Sequence, residues 1–118
     1  MKQAQLRLSY FYKNITYNSG NPELLRAAGN NGNSFTSMMF NIANTHSAGI
    51  VLDVYFEDSE GTKFYWIIDA KVGRGYNLDL IDNPNGFSWS DDMSLYTKIS
   101  TAGGTASVIK SCVSKKIE

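Results

Sequence analysis

His46 is the only histidine in the sequence, and it lies in a polar segment between two apolar runs. A zinc site built from several histidines is therefore excluded, and any Ser-His-Asp or Cys-His arrangement would have to use this residue. Asn44, Thr45 and Ser47 surround it, which is typical of a solvated loop. We interpret His46 as a loop residue rather than a catalytic base.

The single cysteine, Cys112, lies inside the last alternating segment of the sequence. One cysteine cannot form an internal disulfide bond. A reactive thiolate is usually found at a helix N-terminus or beside a base, and this position offers neither. The pattern therefore indicates a buried, inert thiol.

The densest carboxylates could in principle perform acid-base catalysis or hold calcium. They are Asp79, Asp82, Asp91 and Asp92. Their spacing does not match the calcium-loop pattern, and turn chemistry explains Asp82 and Asp91 without a ligand. The segment 73–75 (Gly-Arg-Gly) lacks the third glycine and the following helix of a phosphate-binding loop. We therefore predict no metal, no cofactor and no enzymatic activity.

Aromatic side chains are the residues most able to act at a surface. The candidate interface residues, in the N-terminal segment and in a predicted loop, are Tyr10, Phe11, Tyr12, Tyr17, Phe87 and Trp89. Exposed aromatic rings can stack on sugar rings or pack into another subunit. Both uses stay open, with packing against another subunit or across strands favoured.

Most of the chain alternates between apolar and polar residues with a period of two, which is typical of β-strands. Residues 50–57 and 63–70 form a predicted hairpin around the turn at 58–61, with Phe56, Phe64, Trp66 and Ile68 facing the core. On its other face, and on a later strand, the exposed positions are Tyr55, Tyr65 and Tyr96. The other predicted strands cover residues 5–13, 37–44, 76–80, 93–99 and 105–113. Residues 23–28 could form one turn of helix or a short strand, and the resemblance described below favours the strand.

Seven to eight short strands without a long amphipathic helix indicate an all-β fold, an antiparallel sandwich or a small barrel. Of the two we predict an antiparallel β-sandwich of the jelly-roll or Ig-like kind. The Asn-, Ser- and Gly-rich stretch at 14–22 separates an N-terminal strand or arm, residues 1–22, from a sandwich domain, residues 23–118. The facing of the last strand is ambiguous, because Val108 lies on one side and Ile109 on the other.

The 118 residues (13.1 kDa) carry 11 Lys+Arg and 11 Asp+Glu, a formal net charge of +0 at pH 7. A neutral chain lacks the basic excess that drives binding to nucleic acid. The apolar runs are too short for a transmembrane helix, and no secretory signal is visible behind Lys2. We therefore expect neither nucleic acid nor a membrane as a partner.

Residues 23–113 resemble a diffuse group of small β-sandwich virion proteins of tailed bacteriophages. The resemblance is carried by the segment 23–28 (Glu-Leu-Leu-Arg-Ala-Ala), the segment 34–45 that ends in Asn44-Thr45, and the hairpin 51–68. The turn 83–86 (Asn-Pro-Asn-Gly), followed by Asp91-Asp92, fits the same pattern. The aromatic loop at 87–90 and the strand at 5–13 depart from it. The extra strand either docks onto a partner or completes the sandwich.

The resemblance implies a non-enzymatic structural subunit of a tailed-phage virion, such as a head decoration (cement) or head-tail accessory protein. Expected partners are further copies of the chain, as a homo-oligomer, and other virion proteins. The expected location is the virion, after synthesis in the host cytoplasm. The alternative is a glycan- or receptor-binding module of a phage fibre, using Tyr76, Phe87 and Trp89 at one end of the sandwich.

Overall fold

The computed structural model describes residues 4–29, 34–90 and 92–117. Its regular structure in these ranges is entirely β-strand. The strands are β1 Ala4–Thr16, β2 Glu23–Arg26, β3 Ser34–Ser37, β4 Phe40–Asn44, β5 Ile50–Glu57, β6 Lys63–Val72, β7 Asn77–Asp79, β8 Phe87–Ser90, β9 Ser94–Ile99 and β10 Thr105–Ile117. Within the described ranges, no helix has the length and hydrophobicity that crossing a membrane requires.

Two antiparallel sheets pack against each other around one apolar core. In the six-stranded sheet, β10 pairs with β1 along one edge and with β4 and then β3 along the other; β7 adds to β4 and β8 adds to β3. The four-stranded sheet has the order β2-β9-β5-β6. The predicted antiparallel β-sandwich is therefore confirmed.

Side chains that point into the core alternate along β5 and β10 with side chains that point outward. On β5, Ile50, Leu52 and Val54 are buried, and on β10 Ala106 and Val108 are buried. These side chains belong to one continuous cluster contributed by both sheets. The ambiguity in the last strand is thereby resolved, since Val108 faces inward.

The segment predicted as a single strand at 37–44 is two strands separated by a bend at Met38 and Met39. The Ser37 hydroxyl, which has a single hydrogen to donate, lies 2.6 Å from the carbonyl oxygen of Ser111 and 2.8 Å from that of Met39. In return, the backbone N–H groups of Met38 and Met39 both donate to Ser111 Oγ at 3.1 Å. The two buried serines replace the ladder hydrogen bonds that the bend interrupts, so β3 and β4 can share one edge of β10.

The predicted aromatic loop at 87–90 is a strand, β8, and the loop prediction is wrong. Phe35 pairs with Trp89, and Ser37 pairs with Phe87. The sequence Phe-Ser-Trp-Ser alternates with the period of a strand, and its aromatic positions meet the aromatic side of β3. The split at 38–39 and this added strand account for the difference between the predicted strand count and the ten strands of the described ranges.

The N-terminal strand completes the six-stranded sheet. β1 pairs with β10 along its whole length of 13 residues. Ile15 is fully buried in the core, and the Lys13 ammonium forms an ion pair with Glu23 of β2 at 3.2 Å. Of the two uses left open for this strand, the structure shows the second, completion of the sandwich.

The β5–β6 hairpin is confirmed, but its register shifts twice between Leu52 and Tyr55. Asp69 in the bulged region of β6 adopts a left-handed conformation (φ 51), and its N–H donates to Asp53 Oδ1 at 2.7 Å. Extra residues on one strand of a pair disturb the alternation of faces. The assignment of Ile68 to the core is therefore wrong, because its side chain is exposed. Phe64, also predicted to face the core, is 48% exposed, so that assignment is wrong as well.

Candidate interface on the six-stranded sheet

Two tyrosines of β1 form a pair on the outer face of the six-stranded sheet. Tyr10 is 56% exposed and Tyr12 is 69% exposed. They are two positions apart on one strand and therefore share a face. Their rings are stacked, with centroids 6.5 Å apart. The structure thus brings together two of the predicted interface residues at the surface.

Exposed apolar residues of neighbouring strands extend this pair. Ile109 lies directly opposite Tyr12 and is exposed. Met39 is also exposed, and its carbonyl accepts the N–H of Ser111, the residue opposite Tyr10. Tyr10 and Tyr12 of β1, Ile109 of β10 and Met39 in the bend between β3 and β4 are thus exposed apolar residues on neighbouring segments, and we call these four residues the Tyr10 strip.

The Tyr10 strip borders a long sheet edge. Among the described strands, β1 pairs with β10 only, so β1 is an edge strand of the six-stranded sheet. The Lys13 ammonium approaches that side, where it donates to the carbonyl of Leu24 at 3.3 Å. A long edge strand beside an apolar strip is suited to contact with another chain.

Phe11 and Tyr17, the other predicted interface residues of the N-terminal segment, are partly buried. Phe11 points to the inner face of β1, where the Lys110 ammonium lies 5.1 Å from its ring centroid. Tyr17 is half-buried and packs against the core. Both side chains support the sandwich, and a role at an interface stays a prediction for them.

Phe87 and Trp89 belong to an interior aromatic cluster. Trp89 is 7% exposed and packs against Phe35 and Phe56 at centroid distances of 5.9 and 5.6 Å. Phe87 is half-buried and stacks on Trp66 at 4.2 Å. The expectation that Trp89 is a surface residue is wrong, because the pairing of β8 with β3 turns this side chain inward.

A buried lysine adjoins this cluster. Lys110 is 2% exposed, and its ammonium lies 5.9 Å from the ring centroid of Trp89. The rings of Trp89 and Phe11 both turn an electron-rich face toward the Lys110 ammonium. This attraction offsets part of the free-energy cost of burying the ammonium group. Trp89 Nε1 is buried without a hydrogen-bond partner in the described part of the chain.

The outer face of the four-stranded sheet carries the three tyrosines expected to be exposed. Tyr55 lies between Tyr65 and Tyr96, with ring centroids 5.3 and 5.5 Å away. Tyr55 is only 2% exposed, so the expectation of exposure is wrong for this residue. Its burial, followed by the nearby carboxylate of Glu57, raises the pKa of Tyr55 to about 12.

The structure separates the residues of the predicted glycan site. The carbonyl of Tyr76 accepts the N–H of Asn44 at one end of β4, whereas Trp89 lies opposite Phe35 on β3. At about 3.3 Å per residue along β3 and β4, these positions are roughly 30 Å apart. Tyr76 is exposed, but it cannot share one sugar ring with Trp89.

The polar candidates take part in local structure. The N–H of His46 donates to Asn44 Oδ1 at 2.8 Å in the loop after β4. Asp79 accepts a hydrogen bond from Asn41 at 2.6 Å, and Asp92 accepts one from the Ser90 hydroxyl. Asp91 lies outside the described residues. Among those that are described, no three His, Cys, Asp or Glu side chains converge into a group able to hold a metal ion.

No family model and no curated protein matches the sequence. Among solved structures, a chain from Bacillus endospore appendages, described as a novel family of disulfide-linked pili, superposes with a TM-score of 0.62 at 11% identity, covering 94% of this chain and 88% of that chain. A chain of infectious bursal disease virus, Gx strain, gives a TM-score of 0.54 at 11% identity, covering 97% of this chain and 32% of that one. The likeness is one of fold. At this level of identity it supports the β-sandwich architecture and assigns no activity.

Only some residues of the Tyr10 strip could be predicted from the sequence to be exposed. Alternation alone places Met39 on the polar side of its segment, with Ser37 and Asn41, so its exposure was available from the pattern. Ile109 was ambiguous, because both faces of the last strand carry apolar residues. Only the pairing of β10 with β1 and β4 shows which of the two faces is outside.

Proposed function

We propose that this chain is a structural subunit without enzymatic activity that packs against copies of itself, and that it serves in the virion of a tailed phage as a head decoration or head-tail accessory protein. The observation that carries self-packing is the Tyr10 strip, an exposed apolar area next to the long edge of β1. The virion assignment is supported by the resemblance of residues 23–113. Two structures of similar fold come from a pilus and a virus, which is consistent with an assembly subunit.

Self-packing would result from burial of the Tyr10 strip, which lies on one face of the six-stranded sheet. β1 pairs with β10 over 13 residues, and β10 also pairs with β4 and β3, so Tyr10, Tyr12 and Ile109 lie on a hydrogen-bonded sheet. Burying a large apolar side chain contributes roughly 1.5–3 kcal/mol, so covering the exposed parts of the strip contributes about 4 kcal/mol to a contact. The near-zero net charge opposes self-packing only weakly.

The test of self-packing removes the two tyrosines. We expect the wild-type chain to form oligomers in light scattering and analytical ultracentrifugation, and the double variant Tyr10→Ser/Tyr12→Ser to shift to a smaller species. Tyr76→Ser is the matched control, because Tyr76 is equally exposed but lies outside the strip. Far-ultraviolet circular dichroism verifies that each variant is folded. A wild-type chain that stays monomeric at all concentrations contradicts self-packing.

The location is tested separately by mass spectrometry of purified particles from a culture that carries the gene. A virion subunit is expected in the phage-particle fraction at a fixed ratio to the other particle proteins. Recovery only in cell-surface filaments, or in neither fraction, contradicts the virion assignment and leaves the self-packing result intact.

A further inference from the structure

A straight row of side chains crosses the outer face of the four-stranded sheet at right angles to its strands. Leu24 lies opposite Tyr96, Tyr96 lies opposite Tyr55, and Tyr55 lies opposite Tyr65. The row therefore contains one residue from each of β2, β9, β5 and β6. We call these four residues the tyrosine row.

The rings of the row are packed against one another. Tyr55 and Tyr96 are stacked with an interplanar angle of 21°, and the Lys63 ammonium lies 5.1 Å from the Tyr55 ring centroid. Since the faces of the central ring are covered by its neighbours, the row does not offer a flat aromatic face for stacking a sugar. It forms a ridge whose two ends, Leu24 and Tyr65, are 41% and 48% exposed.

Charged residues next to the row are arranged in a self-complementary way. Asp53 of β5 lies directly opposite Lys98 of β9, two positions along the strands from Tyr55 and Tyr96. A two-fold axis parallel to the strands, between β5 and β9, places Lys98 over Asp53 of a second copy and Asp53 over its Lys98. The same axis exchanges β2 with β6. Leu24 then meets Tyr65 of the second copy.

We propose that two copies of this chain pair face to face through the tyrosine row, about this two-fold axis. About a two-fold axis residue i meets residue j and j meets i. Because Asp53 and Lys98 lie opposite each other and carry opposite charges, both of the contacts that they make across this axis are attractive. An apolar, tyrosine-rich centre bordered by charged residues is the usual anatomy of a protein interface. The inference rests on the proposed self-packing function, but it uses the sheet opposite to the Tyr10 strip.

The first experiment removes the Tyr10 strip so that only the tyrosine row is tested. In the Tyr10→Ser/Tyr12→Ser background, we expect light scattering to report a dimer that dissociates on dilution. Adding Tyr65→Arg, at an exposed position, is expected to weaken this dimer at least about tenfold, because the new cation meets an apolar residue of the partner. Tyr76→Arg, at an exposed position just before β7 of the other sheet, is the control and is expected to leave the dimer unchanged. A background variant that is monomeric throughout overturns the row and leaves the strip standing.

The second experiment uses charge exchange. In the same Tyr10→Ser/Tyr12→Ser background, Lys98→Glu and Asp53→Lys, each alone, place like charges across the axis and are expected to be monomeric. Mixed together, they are expected to form a heterodimer in native mass spectrometry, because both contacts across the axis regain opposite charges. A purely intramolecular effect gives no such rescue, so a mixture that stays monomeric overturns the proposal.

Asp53 also accepts a backbone hydrogen bond from Asp69, so Asp53→Lys is checked for folding by circular dichroism. If this variant is unfolded, the mixture of Leu24→Lys with Tyr65→Glu replaces it, because both positions are exposed ends of the row. If the Leu24→Lys and Tyr65→Glu chains form a heterodimer in preference to either homodimer, the result supports the proposed axis. If the heterodimer is no more abundant than the homodimers, the result contradicts it.

Discussion

Lys110 and Trp89 are buried side by side, and each has a polar group inside the sandwich. The ammonium of Lys110 is placed against aromatic rings, whereas Trp89 Nε1 is buried and meets no acceptor among the residues that the structure describes. An unsatisfied buried donor costs about 1–3 kcal/mol of stability. The Trp89 indole therefore contributes buried apolar area, and its N–H adds no hydrogen bond within the described part of the fold.

Two substitutions at Trp89 are expected to differ in their effects on stability. Trp89→Phe removes some buried area but also removes the unsatisfied N–H, so we expect the free energy of unfolding to change by less than about 1 kcal/mol. Trp89→Ala leaves a cavity and is expected to cost about 3–5 kcal/mol. Urea denaturation of both variants measures these values. A Trp89→Phe variant as unstable as Trp89→Ala would show that the N–H is satisfied in solution.

Tyr55 predicts a pH dependence of stability at the alkaline end. Its pKa is raised from the usual value of 10.0 to about 12 by burial, so folding favours the protonated phenol. The stabilisation is fully present below pH 10 and is lost as pH rises through 12, because the unfolded chain then releases the proton more readily. Urea denaturation from neutral to alkaline pH is expected to show a steeper loss for wild type than for Tyr55→Phe. Identical slopes contradict this assignment.

At the scale of the elements, turns decide where strands dock. Gly86 ends the turn before β8 with a positive φ of 71, and a Cβ at this position would lie 2.5 Å from the Ser37 carbonyl oxygen. Gly61 in the β5–β6 turn has a similar φ of 84, but a Cβ added there would meet nothing within 4 Å. A substitution at Gly61 therefore tests backbone strain alone, whereas a substitution at Gly86 tests backbone strain together with steric overlap.

We expect Gly61→Ala to cost about 1–2 kcal/mol, because an L-residue is strained in a left-handed conformation. Gly86→Ala is expected to cost about 2–4 kcal/mol, because overlap with the backbone of β3 adds to that strain. Thermal and urea denaturation compare the two variants. Equal losses would mean that β8 shifts away from β3 without penalty.

The elements also show which parts of the fold the sequence determines locally. The β5–β6 hairpin could be predicted, because alternation and a turn lie within one continuous segment. The break between β3 and β4 could not, because Ser37 and Met38 are held by Ser111, more than seventy positions away. The same holds for the candidate site: Tyr10 and Tyr12 follow from alternation, whereas the burial of Trp89 depends on a distant strand.

At the scale of the whole molecule, the long β1–β10 pair joins segments from opposite ends of the sequence. Removing residues 1–17 deletes β1, exposes one edge of β10 and removes Ile15 from the core. We therefore expect this truncated chain to lose its cooperative unfolding transition, in contrast to the Tyr10→Ser/Tyr12→Ser variant, which keeps the strand. Circular dichroism and thermal denaturation distinguish them. A truncated chain that folds normally would make β1 dispensable to the sandwich.

The central place of β10 also has a consequence for biosynthesis. Ribosomes deliver β1, β3 and β4 before β10, the strand with which all three pair. The four-stranded sheet can be complete once β9 has been synthesised to Ile99, but until residues 105–117 follow, β1 has no partner and the β3–β8 and β4–β7 pairs are not joined. Nascent chains therefore carry unpaired strands through most of translation, and slow elongation before β10 prolongs the period in which chaperones are needed.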